Sequence, residues 1–291
     1  MIGDVIHIKA QKKHLKKSTL AFYLLIIIIL MLGVFILIGL SQQTLVLKTY
    51  DITDSSVPER FDGYRIVHIT DFHSGIKSSS AAEVIKMTAA QFPDIICLTG
   101  DIVDGTSPDF VPVEELVAGL VDIAPVYAVS GNNEHYSSSI NAEINWLYEE
   151  YGVINMDDRT VTIFDGGTLT LSGIADMNPG PYLYSQVMEL SQNKSSEGFH
   201  ILLYHRANEF DHVVAANYDL VLSGHLHGGV IRIPFVGGIL SPYDTFFPKY
   251  SGGLYEKSGV TLISNCGIGN NYIFPRVYNP PEVVLLVLHK G

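Results

Sequence analysis

The sequence predicts an α/β domain of two sheets packed face to face with helices outside, preceded by one N-terminal transmembrane helix. Three observations predict it: a long apolar run near the N-terminus, a β-α-β-α-β-α order in the first half of the remainder, and a strand-rich second half. No charged residue occurs from Ser18 to Leu47, and Leu20–Leu40 is almost wholly aliphatic. A helix of about twenty residues, rising about 1.5 Å per residue, spans roughly 30 Å, the thickness of a bilayer's hydrocarbon core. A globular helix seldom stays apolar on every face for that distance. Lys9, Lys12, Lys13, Lys16 and Lys17 precede the run and only Lys48 follows it closely. The positive-inside rule therefore assigns residues 1–18 to a basic cytoplasmic tail, residues 19–41 to an anchor in the cell membrane, and residues 44–291 to an extracytoplasmic domain. A cleaved signal peptide fits less well, because its apolar region is about 7–15 residues long and ends in a small-x-small site. GLSQQTLVL offers no such site.

The runs RIVHIT (65–70), DIICLT (94–99) and PVYAVS (125–130) are β-branched, apolar and bordered by turn residues, the pattern of buried parallel strands. Helical periodicity fills 79–91, 113–121 and 140–151, which supplies the crossovers. Further strands are expected at TVTIF (160–164), TLTLSGI (168–174), HILLYH (200–205), DLVLSG (219–224), VIRIP (230–234), VTLISN (260–265) and EVVLLVL (282–288). Gly166-Gly167 marks a hairpin, and 184–192 and 210–216 read as helices.

Composition narrows the function. A 47% hydrophobic content against 16% charged excludes a mainly disordered chain. The net charge of −12, with five lysines against one aspartate in residues 1–40, leaves the rest of the chain strongly acidic and excludes a nucleic-acid coat. Two cysteines, Cys97 and Cys266, make neither a disulfide scaffold nor a four-thiolate zinc site; both lie in apolar stretches and read as small buried residues. The eleven histidines are more telling, because several fall in tight motifs.

Five apolar strands end in polar clusters: Asp71-Phe72-His73, Gly100-Asp101-Ile102-Val103-Asp104, Gly131-Asn132-Asn133-Glu134-His135, His205, and Gly224-His225-Leu226-His227. Ligands of open α/β sheets bind beyond the carboxyl ends of strands, so these loops are expected to share one crevice. Side chains two apart in extended backbone point to the same side, which lets Asp-x-His and His-x-His converge on a metal. Mixed carboxylate, imidazole and amide donors suit Mn, Fe or Zn, and the number of candidates exceeds the four that one structural zinc needs. Two metal ions are the expected cofactors.

In this order and spacing, D-x-H, G-D-x-x-D, G-N-x-E, H and G-H-x-H resemble the calcineurin-like metallophosphoesterase family. GHLHGGVIRIP, SGGLY and NCGIG, with the apolar N-terminal run, are similar to its membrane-attached bacterial branch of YkuE-like and YaeI-like phosphoesterases. The resemblance spans about residues 50–288 and implies a four-layer α/β/β/α sandwich with a dinuclear centre. It implies that Asp71, His73 and His227 hold one divalent ion, that Asn132, His205 and His225 hold the other, and that Asp101 bridges them. Two such ions share a hydroxide that attacks a phosphate ester or pyrophosphate in line. Asp104 reads as an acceptor for a ligand histidine. With the anchor, an envelope substrate follows, including lipid-linked sugar nucleotides by analogy with relatives.

One position departs from the family. Its G-N motif continues with a histidine that contacts the phosphate and protonates the leaving oxygen; here Asn133 stands there, followed by Glu134 and His135. Asparagine donates a hydrogen bond but is no acid, and general acid catalysis contributes about 10²–10⁴-fold. Three readings follow for these two candidate catalytic residues. His135 replaces the acid through a loop shift; or the enzyme takes esters with good leaving groups, pyrophosphates included; or the protein is a catalytically impaired, metal-holding scaffold or sensor. His7, His14, His68, His200, His212 and His289 read as structural or solvated, and Arg206 and Arg232, the basic groups nearest the site, as partners in structural ion pairs.

Overall fold

In the computed structural model, residues 1–42 and 43–291 form two separate units. Residues 2–40, 44–76, 79–177, 180–241, 245–270 and 275–291 are described. Met1 of the expected tail and Ser41 of the expected anchor lie outside them. The first unit is one helix, α1 (Ile2–Leu40), whose stretch Thr19–Gly39 has the length and composition of a membrane span.

In the second unit the expected first-half order appears as β1 (Val46–Asp54), β2 (Arg65–Ile69), α2 (Ala81–Ala89), β3 (Ile95–Thr99), α3 (Phe110–Val121), β4 (Val126–Val129), α4 (Ser138–Tyr151) and β5 (Ile154–Asn155). The helices start where polar side chains satisfy the first free N–H groups. Ser80 and Glu83 form a capping box before α2, Asp109 accepts from Val111 N before α3, and Ser137 accepts from Ile140 N before α4. The second half runs β6 (Arg159–Phe164), β7 (Thr168–Ile174), α5 (Pro181–Ser191), β8 (Phe199–Arg206), α6 (Phe210–Val213), β9 (Leu220–Gly224), β10 (Arg232–Ile233), β11 (Gly237–Gly238), β12 (Leu240–Ser241), β13 (Thr245–Phe246), β14 (Gly253–Lys257), β15 (Val260–Ser264) and β16 (Glu282–Lys290).

Two six-stranded sheets result, ordered β1-β16-β2-β3-β4-β5 and β14-β15-β9-β8-β7-β6. β2 to β5 run parallel, as do β7, β8, β9 and β15, so the carboxyl ends of these strands gather at one end of each sheet. Three apolar layers hold the stack. Val84, Leu116 and Leu147 pack α2, α3 and α4 onto the first sheet; Ile66, Cys97, Leu171 and Leu222 fill the space between the sheets; Leu183, Val187 and Phe210 pack α5 and α6 onto the second. This is a four-layer α/β/β/α sandwich.

Three details differ from the sequence reading. VIRIP is no sheet strand: Val230 takes φ 42°, Ile231 makes a single bridge to Val277, and Arg232–Ile233 pairs in a short ribbon with Gly237–Gly238. Two edge strands, β1 and β14, escape hydrophobic patterning because they are only partly buried. The helix expected at 210–216 shortens to one α turn followed by a 3₁₀ turn at Val214–Ala216.

Candidate metal centre

The polar clusters sit in loops beyond β2, β3, β4, β8 and β9, as parallel topology requires. Asp71, His73, Asp101, His225 and His227 all adopt left-handed backbone, with φ between 46° and 73°. Such geometry costs about 1–3 kcal/mol per residue and persists only where surrounding bonds over-determine it. Those bonds join the loops to one another: Asp71 N donates to Gly100 O, His73 N to Asp101 O, and Gly269 N to Asp71 O. His205 lies at the register shift between β8 and β9, where a bulge re-aims a side chain. Two glycines admit the carboxylates. A Cβ on Gly131 would lie 2.4 Å from Asp101 Oδ1, and one on Gly224 2.3 Å from Asp71 Oδ2.

The structure gathers Asp71, His73 and His227 into one buried group and Asp101, His205 and His225 into a second, with the ligand atoms of each within 4.8 Å. In the first, His73 Nε2 and His227 Nε2 stand 3.1 Å apart, and Asp71 Oδ1 lies 3.4 Å from His227 Nε2 and 3.8 Å from His73 Nε2. In the second, His205 Nε2 lies 3.1 Å from His225 Nδ1 and 3.2 Å from Asp101 Oδ2. Asp101 Oδ2 is also 3.9 Å from His73 Nε2, which puts this carboxylate between the groups. Asn132 follows Gly131 in the β4 loop.

Orphaned acceptors test whether these residues suit metal ions. Asp71 Oδ2 accepts from Thr70 Oγ1 and His225 N, whereas Asp71 Oδ1, aimed at two imidazoles, is buried with no hydrogen-bond partner. Asn132 Oδ1 is likewise buried and without a partner. Lone pairs left dry in this way are costly unless a cation takes them. His205 Nδ1 donates to Thr99 O at 2.7 Å, which leaves Nε2 turned toward Asp101 and His225 as the atom that could bind a metal. Asp104 Oδ2 lies 3.6 Å from His73 Nδ1, beyond hydrogen-bond length, and is itself buried without a hydrogen-bond partner. The donor set fits two divalent ions.

Burial opposes charging of His205, but Asp101 and Asp71 outweigh it and push its pKa up to about 10. Burial also opposes ionisation of Asp101, yet His205 beside it holds the carboxyl well below the usual range. His225 and His227 are driven well below the ordinary imidazole value by burial and by neighbouring cationic groups, which leaves neutral rings able to bind a metal.

Asn133 and His135 are placed differently. Asn133 Nδ2 donates to Asp101 Oδ2 at 2.6 Å, and its Oδ1 accepts from Gly105 N, so the side chain bridges two loops. His135 turns toward Ser130: its Nε2 is 2.7 Å from Ser130 Oγ, which donates to Asp157, and its Nδ1 faces Asn141 at 3.4 Å.

Two buried residues were not singled out from sequence. Glu134 is a clamp: Oε2 accepts from Asp101 N and Gly131 N, Oε1 from Ile102 N and Val103 N. Its place in G-N-x-E was legible, but its partners, some thirty residues upstream, were not. Arg276 is fully buried, donates to Gly269 O and lies 3.4 Å from His227 Nδ1. Nothing local in FPRVY marks it. Arg206 pairs with Asp176 at 2.7 Å, while its Nη1 reaches 3.2 Å from His225 Nε2. Arg232 is spent on Gly228 O and Ser251 O. Both cysteines are buried and free.

The chain matches the calcineurin-like phosphoesterase family over residues 64–229. The metallophosphoesterase YkuE of Bacillus subtilis (strain 168) is 27% identical over 247 residues, covering 82% of this chain and 84% of YkuE. The phosphodiesterase YaeI of Escherichia coli (strain K12) is 25% identical over 230 residues, covering 77% of this chain and 82% of YaeI. A solved dimetal phosphatase from Danio rerio superposes with a TM-score of 0.43 at 12% identity, covering 71% of this chain and 88% of that one.

Proposed function

The chain belongs to the calcineurin-like metallophosphoesterases, and from that premise we propose that it is a membrane-anchored hydrolase of phosphate esters or pyrophosphates working with two divalent metal ions. The observation that carries the reading is the pair of buried groups, Asp71, His73 and His227 and Asp101, His205 and His225, with Asp71 Oδ1 left without a hydrogen-bond partner beside two imidazoles. Asp71, His73 and His227 would hold one ion, Asn132, His205 and His225 the other, with Asp101 between. Ions bound there supply Lewis-acid charge for the phosphoryl group and lower the pKa of water. The chain's own residues do the rest. Glu134 holds the Asp101 loop, Thr99 O orients the His205 imidazole, and Asn133, already donating to Asp101, has a second N–H for a phosphoryl oxygen.

Asn133 sets the substrate class. It offers no proton to a leaving group, and the hydrogen bonds of His135 to Ser130 and Asn141 disfavour its swinging in as a substitute. Esters with good leaving groups, including pyrophosphate linkages, are therefore favoured. The lysines that precede the apolar stretch Thr19–Gly39 of α1 support a cytoplasmic N-terminus and an extracytoplasmic domain, which protease accessibility of residues 44–291 in intact cells tests.

The deciding experiment strips the full chain of metal and measures hydrolysis of bis(p-nitrophenyl) phosphate with and without Mn²⁺, beside Asp101→Ala. Metal-restored turnover with two bound ions, both lost in the variant, is expected. Two bound ions without turnover on any ester would instead make this a metal-holding binding protein.

A further inference from the structure

Exposed large apolar side chains are unevenly distributed over the domain. Val111 and Tyr136 lie beyond the ends of β3 and β4, and Met177 and Tyr182 beyond the end of β7, which runs parallel to β8. A ribbon stands at the same end. It leaves the site directly after His227 and comprises β10–β13, tied by Ile239 N to Ile231 O and Phe247 N to Ile239 O. Its tip, Ile233-Pro-Phe-Val236, leaves Phe235 fully exposed, and Phe246 and Phe247 are 68% and 64% exposed beside it. A cavity of about 250 Å³ runs from His225 to Thr245 and Lys249, under this ribbon. The opposite ends of the sheets carry Phe92 and Phe164, each alone. Exposed aromatic side chains gathered on one protruding ribbon are apolar surface of the kind that marks a docking site.

The chain itself identifies what is docked. The point at which it enters the domain from α1 is Val46, which pairs with Glu282 in the parallel β1–β16 ladder. β16 runs antiparallel to β2, so this is the end of β2 from which Asp71 emerges. Glu282 N donates to Gly267 O, Glu282 Oε1 accepts from Cys266 N, and Gly267 packs on Asp71. Leu40 and Val46 are six residues apart, about 20 Å at full extension. Val46 and the ribbon therefore belong to the same end of the domain as the metal groups.

We propose that this rim is a bilayer-docking surface, in which the ribbon tip around Phe235 and Phe247 enters the interfacial layer of the membrane that holds α1. Aromatic and aliphatic side chains on a protruding ribbon favour that boundary, where apolar groups bury while backbone stays near headgroups. The inference rests on the anchor proposed above, not on turnover.

The test uses the full chain with Trp146, its one tryptophan, replaced by Phe. Two probe variants, Phe235→Trp and Phe164→Trp, are reconstituted into phosphatidylcholine–phosphatidylglycerol vesicles containing phospholipid spin-labelled near the top of the acyl chain. The expected result is several-fold stronger quenching at 235 than at 164. Chains that float with the vesicles but show equal, weak quenching at both positions overturn docking and leave the hydrolase reading intact, as does stronger quenching at 164. Chains that do not float with vesicles at all overturn the anchor and this inference together, whatever their activity on a soluble ester.

Discussion

Replacing Glu134 by glutamine changes one oxygen to NH₂ at the hub of the site. Each carboxylate oxygen of Glu134 accepts two backbone N–H groups, at 2.8 and 2.7 Å for Oε2 and at 2.8 and 3.2 Å for Oε1. Whichever oxygen the amide replaces, two buried donors then face a third donor. A buried donor left unmade costs about 1–3 kcal/mol, so Glu134→Gln is expected to lower stability by about 2–6 kcal/mol. That is a large share of the 5–15 kcal/mol typical of a domain. The wild-type carboxyl already sits in a contested place: burial and then the charge of Asp101 push its pKa up to about 7, against the pull of the N–H groups. Because those N–H groups belong to the loops of Asp101 and Asn132, Mn²⁺ affinity falls as well, by at least about tenfold, the equivalent of 1.4 kcal/mol. Urea unfolding of the metal-stripped chain in detergent, followed by Trp146 fluorescence, measures the first effect, and Mn²⁺ titration the second. A variant within about 0.5 kcal/mol of wild type and with unchanged affinity would refute the clamp.

Three further outcomes are expected. Asn133→His restores an acid, so turnover on an alkyl phosphodiester rises by about 10²-fold or more relative to a nitrophenyl ester, read from the ratio of the two rates; an unchanged ratio would place the missing acid elsewhere. Mn²⁺ at a hundred times its Kd stabilises the fold by about 2.7 kcal/mol per site, visible as a concentration-dependent Tm that chelation abolishes. Burial lowers the His68 pKa to about 3, below its unfolded value of about 6.5, so its contribution to stability is fully present above pH 6.5 and is lost as pH falls toward 3. At pH 5 this amounts to about 2 kcal/mol relative to pH 8, and metal-free His68→Gln, near Thr99 Oγ1, should lack that part of the acid sensitivity.

Much of this protein is local in the sequence. The central strands are legible because burial on both faces demands unbroken β-branched and apolar runs such as RIVHI and IICLT. Helix positions are legible from their apolar periodicity, while the starts of α3 and α4 fall three and two residues before the expected 113 and 140, where Asp109 and Ser137 cap the first N–H groups. The ligand types are legible because Asp71, Asp101 and His225 each follow a strand directly. Edge strands β1 and β14 are not, since half-exposed strands have no comparable demand on composition.

What only the tertiary structure decided is how those residues meet. His73 and His227 face each other across 154 residues, and His225 N reaches Asp71 over the same separation. The left-handed backbone at five ligand positions, the dry oxygens of Asp71 and Asn132, and the burial of Arg276 beside His227 all arise from loops forced together by two sheets. The insertion of β16 between β1 and β2 brings the entry of the chain to the end of the sheet that carries the metal groups. Residue type and short spacing specify which donors are present; the free energy of bringing them together is contributed by the three apolar layers, whose contacts are long-range and leave no mark on the motifs themselves.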